Sequence, residues 1–83
     1  MRILIIEDEP QLARHVNVAL HRHGHEASVH HDGATGLKAA LTTPPDLIIL
    51  DVNLPSIDGF EVLAKLRAAK SAARVLMLTS RGE

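Results

Sequence analysis

Two apolar runs of four residues each end on acids: Ile3 to Ile6 leads into Glu7 and Asp8, and Leu47 to Leu50 leads into Asp51. A short run without alternation, bounded by polar residues, suits a strand buried on both faces, the habit of parallel sheets with helices on each side. Two such strands side by side bring three carboxylates to one sheet edge. Open α/β sheets bind their ligands at that carboxyl edge, where strand order reverses. Crowded carboxylates repel unless a proton or a cation sits among them, and an oxygen-rich cluster of this kind favours Mg²⁺.

The segments between and after these runs alternate helix and strand. Pro10 suits a first helical turn, Leu12, Val16, Ala19 and Leu20 recur at helical spacing, and Gly24 supplies a left-handed stop. His25 to His31 alternates, with Ala27 and Val29 on one side, as an edge strand with one buried face does. Asp32 caps a second helix with apolar positions Ala34, Leu37 and Leu41, in which Gly36 costs about 1 kcal/mol against alanine. Pro44 and Pro45 launch a strand over 46–51, and Asp58 caps a third helix whose predicted buried stripe is Phe60, Leu63 and Leu66. Val75 to Leu78 forms a fourth strand that stops at Thr79 and Ser80. This β-α-β-α-β-α-β order demands a parallel sheet with right-handed crossovers, a doubly wound α/β fold. The fourth run is continuously apolar with only five residues after it. We therefore expect a sheet whose neighbouring strand and covering helices are missing, the alternative being a naturally small four-stranded domain.

Composition excludes more than it assigns. Eighty-three residues make at most one domain, and the net charge of -1, from nine basic and ten acidic residues, offers no basic surface for nucleic acid or membrane. No cysteine is present, so thiolate metal sites and disulfides are excluded. No apolar segment is long enough for a bilayer or a signal peptide, and the expectation is a cytoplasmic domain. Six histidines raise the question of a metal. His21 and His23 diverge by about 200° on a helix, so they read as positive decoration of its C-terminal end. His30 and His31 read as solvated turn residues, and Lys65, Arg67 and Lys70 as the exposed face of the third helix.

Four segments in order, ILIIEDEP from Ile3, PDLIILDVNLPSIDG from Pro45, FEVLAKL from Phe60 and VLMLTS from Val75, resemble the receiver domain of two-component response regulators. Their wording is most similar to the OmpR-like class of transcriptional regulators, whose parent proteins bind DNA through a separate output domain. The resemblance implies a flavodoxin-like sheet of order 2-1-3-4 with three helices, covering about the first two-thirds of such a domain. It also implies the roles. Asp51 is the phosphoacceptor, taking a phosphoryl group from a phosphohistidine of a sensor histidine kinase. Asp8 ligates Mg²⁺ directly, Glu7 holds it through water, and the backbone carbonyl of Asn53 completes the protein's share. Thr79 is the switch hydroxyl, and Ser80 keeps the approach open. The family's fifth-strand lysine and aromatic switch residue, and its last helices, fall beyond Glu83.

Rival readings differ at particular residues. A phosphatase with an aspartyl nucleophile wants a second acid two residues on, where Asn53 stands and cannot act as a general acid. We therefore do not expect an enzyme. A dinucleotide site needs a glycine-rich turn where this chain has Glu7-Asp8-Glu9-Pro10. The remaining alternative is a truncated, signalling-incompetent receiver fragment that self-associates through its fourth-strand edge.

Overall fold

The computed structural model describes residues 1–78. Its elements are β1 (Arg2–Ile6), α1 (Pro10–Arg22), β2 (Glu26–His30), α2 (Gly33–Thr42), β3 (Leu47–Asp51), α3 (Gly59–Ala68) and β4 (Arg74–Leu78). The four strands form one parallel sheet of order β2-β1-β3-β4, as expected for crossovers made by helices. Ile3 pairs with both Ala27 and Leu47, so β1 runs down the middle with β3 beside it.

Strand alternation then divides the apolar runs between two faces. Leu4, Ile6, Ile48 and Leu50 point into one core with Ala40 of α2 and Val62 and Leu66 of α3, all buried. Ile3 and Ile5 are as deeply buried on the other face, where α1 packs on β1 and β2. Val75 and Met77 of β4 join the first core, whereas Leu76 and Leu78 are 50% and 42% exposed. α1 packs on β1 and β2, the far half of the sheet, which leaves this face of β4 half-exposed.

Helix ends follow the predicted chemistry. Asp32 Oδ1 accepts the Thr35 N–H at 2.8 Å and Asp58 Oδ1 accepts the Glu61 N–H at 2.9 Å, capping α2 and α3. α1 is capped by Glu9, whose carboxylate accepts the Gln11 N–H at 2.8 Å, with Pro10 in its first turn. At its other end Gly24 adopts φ 84, and the Gly24 and His25 N–H groups return to the carbonyls of His21 and Leu20.

Three buried stripes differ from expectation. Phe60 is 62% exposed, and Val62 occupies the core position with Leu66 instead. In α2, Leu41 is 45% exposed and Ala34 is exposed, while Gly33, Gly36 and Ala40 are buried. The reason is close approach: a Cβ on Gly36 would lie 2.6 Å from Ile6 Cδ1, so the helix meets β1 along its smallest residues. That contact leaves Leu41 facing solvent, while Leu37 packs against the core as expected. In α1, Ala13 is the buried residue and Ala19 is exposed, with Leu12, Val16 and Leu20 half-buried.

Candidate functional site

β1 and β3 pair up to Ile6 and Leu50, so the next residue of each, Glu7 and Asp51, emerges side by side at the carboxyl edge. Carboxylate oxygens of Glu7, Asp8 and Asp51 all lie within 4.8 Å of one another. Glu7 and Asp51 are buried, at 5% and 1% exposure, whereas Asp8 is exposed. The cluster therefore has a floor of two buried acids and one at its mouth.

Each buried acid is fastened. The Glu7 N–H donates to the His30 carbonyl at 3.0 Å, extending the β1–β2 ladder one rung. Glu7 Oε2 accepts the Glu9 N–H at 3.0 Å. Asp51 Oδ1 accepts the Asn53 N–H at 3.3 Å, while Asp51 Oδ2 is buried with no hydrogen-bond partner among the described residues. A buried anionic oxygen without a donor calls for a cation or a proton. Burial pushes the Glu7 carboxyl up to about 7; the neighbouring Asp51 charge and, more weakly, Asp8 act the same way, against the Glu9 N–H. The donor set, all hard oxygens, fits a divalent cation.

The backbone around Asp51 is clamped from two sides. The Val52 N–H donates to the Leu78 carbonyl at 2.9 Å, and the Gly59 N–H donates to the Val52 carbonyl at 2.8 Å. A Cβ on Gly59 would lie 2.3 Å from the Asp51 carbonyl oxygen, so the start of α3 presses directly on the strand end. The loop between β3 and α3 rests on α2, whose Gly33 N–H donates to the Pro55 carbonyl at 3.4 Å.

The structure thus brings together Glu7, Asp8 and Asp51 and ties exposed Asn53 to Asp51 through its N–H. Thr79 and Ser80 lie outside the described residues. One contact escaped the sequence reading: His31, an exposed residue just past β2 as expected, also places Nδ1 3.0 Å from the Glu7 carbonyl oxygen. Position was the available signal, since the residue after the last β2 rung must lie beside the one after the last β1 rung. The histidines enter no group of three metal-ligating side chains among the described residues.

Comparison with known proteins agrees with this geometry. The family model for the response regulator receiver domain matches residues 3–83. The transcriptional activator protein IrlR of Burkholderia pseudomallei is 49% identical over 83 residues, which are 100% of this chain and 36% of that protein. The response regulator protein TrrA of Thermotoga maritima, solved in complex with Mg²⁺-BeF, is 33% identical with a TM-score of 0.90, over 98% of this chain and 70% of that one. A second structure, of histidine kinase ThkA in complex with TrrA, matches at 33% identity and a TM-score of 0.89, over 99% of this chain and 71% of that one. The chain spans about a third of the length of the curated relatives it matches, from 32% to 36%. By motif, topology and family match, this chain belongs to the response regulator receiver domain family.

Proposed function

We propose that the chain is the phosphoacceptor unit of a two-component response regulator. The Asp51 carboxylate attacks the phosphorus of a phosphohistidine on a sensor histidine kinase. The P–N bond breaks, its electron pair returns to the imidazole, and an aspartyl phosphate remains on this chain. The observation that carries the reading is Asp51 itself: buried, clamped through its backbone, held by one oxygen, with the other unpartnered beside two further carboxylates. The Asn53 N–H on Oδ1 fixes the carboxylate plane and leaves Oδ2 available for bonding. Mg²⁺ is the cation we assign to the cluster, held by Asp8, Asp51 and the Asn53 carbonyl, with Glu7 acting through water; when bound it neutralises charge as the phosphoryl group arrives. Thr79 is assigned the switch hydroxyl by resemblance. TrrA, solved with Mg²⁺-BeF and with a histidine kinase, supports both the cation and the partner.

With Asn53 where a phosphatase would place its acid, we assign no turnover of external phosphoesters. We place the domain in the cytoplasm, without direct contact to nucleic acid, in a longer protein that regulates transcription as the name of IrlR indicates for that protein. No helix among the described residues is long and apolar enough to cross a membrane.

Incubation with acetyl phosphate and Mg²⁺ should add a single phosphoryl group, and borohydride trapping followed by mass spectrometry should place it on Asp51. Label on any other residue, or label persisting in Asp51→Asn, would overturn the assignment. A second reading, that the isolated chain self-associates and does not signal, is favoured by Leu76 and Leu78 on a strand that pairs only with β3 among the described residues. The 83-residue chain should then sediment as a dimer or larger, and Leu76→Lys should shift it toward monomer. A compact monomer at high concentration sinks this second reading, whereas an oligomer that takes no label favours it.

A further inference from the structure

We propose that His31 is a positioning residue for the cation site, orienting Asp8 through the main-chain carbonyl of Glu7; this rests on the function proposed above. A carbonyl oxygen can only accept, so the 3.0 Å contact requires the hydrogen on His31 Nδ1. The Glu7 N–H is already held by the His30 carbonyl at 3.0 Å. Both backbone groups of Glu7 are therefore tied to the end of β2. The Glu7 carbonyl and the Asp8 N–H share one rigid peptide plane, so holding the oxygen fixes where the Asp8 Cα begins. Asp8 needs this support most, being the exposed member of the cluster while Glu7 and Asp51 are set by burial. Groups that orient ligands from behind commonly matter about tenfold or more to metal affinity when they act on the ligand itself. Acting one peptide away, His31 should matter somewhat less.

Asparagine offers a discriminating substitution, because its Nδ2 stands the same number of bonds from the backbone as histidine Nδ1 and donates in the same direction. Leucine fills similar space and cannot donate. Mg²⁺ affinity of the chain would be measured by titration calorimetry for wild type, His31→Asn and His31→Leu, together with hydrogen exchange of the Asp8 amide in Mg²⁺-free buffer. The expected result is wild-type affinity in His31→Asn, with binding weakened about three- to tenfold and faster Asp8 exchange in His31→Leu. His31→Ala should repeat the leucine result should that variant fold poorly. Equal Mg²⁺ affinity in all variants overturns the assignment and leaves the phosphoacceptor reading standing. Equal weakening in asparagine and leucine also overturns it, by assigning the effect to the ring rather than its N–H. A wild-type chain that binds no Mg²⁺ overturns the cation site and this inference with it.

Discussion

Gly59→Ala should lower the unfolding free energy by about 3 kcal/mol, near the upper end of ordinary overpacking, and impair phosphorylation of Asp51 in whatever remains folded. The added Cβ would lie 2.3 Å from the Asp51 carbonyl oxygen, 2.8 Å from the Val52 Cα and 3.0 Å from the Asp51 carbonyl carbon. All three are main-chain atoms, so no rotamer change can clear them. Either α3 retreats or the end of β3 moves. Retreat pulls Val62 and Leu66, both fully buried, out of the core and breaks the 2.8 Å hydrogen bond from the Gly59 N–H to the Val52 carbonyl. Movement of β3 displaces Asp51, the proposed phosphoacceptor. Gly36→Ala is the informative contrast, because the three atoms nearest its Cβ are all in the Ile6 side chain, at 2.6 to 2.9 Å, and can partly repack. Urea unfolding of both variants, alongside acetyl phosphate labelling, should rank Gly59→Ala as the more damaging on each measure. A Gly59→Ala protein as stable as wild type would sink the proposed clamp.

What the sequence disclosed and what it concealed separate along a physical line. The apolar runs of β1 and β3 and the acids after them were legible because a strand with two covered faces leaves no alternation to misread. The caps Asp32 and Asp58 were legible because they act within their own turn. The buried faces of α2 and α3 were legible only in part: Leu66 is buried and Leu37 and Leu63 pack on the core, but hydrophobicity alone also favours Leu41 and Phe60, which are exposed. The helices instead approach the sheet where side chains are smallest or shortest, at Gly36, Gly59 and Val62. Spacing could place three acids at one edge, but it could not say which of them are buried. That unevenness, with Glu7 and Asp51 beneath and Asp8 at the mouth, comes from how each residue leaves its strand. His31 was hidden for a related reason: its bond goes to backbone, which carries no residue-type signal.

The uneven burial changes where the repulsion among the carboxylates should be felt. Crowding of three carboxylates makes removal of any one of them a candidate for stabilising the cation-free domain. In the structure Asp8 is exposed and contributes least to the raised Glu7 pKa, whereas burial of Glu7 contributes most. Glu7→Gln, not Asp8→Asn, should therefore be the stabilising change without divalent cations. The sign follows from proton linkage. The native carboxyl titrates at about 7 against an ordinary value of 4.5, so the native state binds the proton more tightly than the unfolded chain does. Stability associated with Glu7 is present below pH 4.5 and is lost as pH rises through 7, a total of at most about 3 kcal/mol before solvent screening reduces it. Glutamine keeps an oxygen for the Glu9 N–H and carries no charge to lose. In Mg²⁺-free buffer, Glu7→Gln should match wild type near pH 4.5 and exceed it by about 1 to 3 kcal/mol at pH 8, with the difference opening between those values. Asp8→Asn should stay close to wild type across the same range. Added Mg²⁺ should then stabilise wild type more than either variant, since the cation answers the same unpaired charge that each substitution reduces. The measurement is urea unfolding of the three proteins from pH 4.5 to 8, with and without Mg²⁺. A Glu7→Gln protein no more stable than wild type at pH 8 would show that Glu7 is not the strained acid of this cluster.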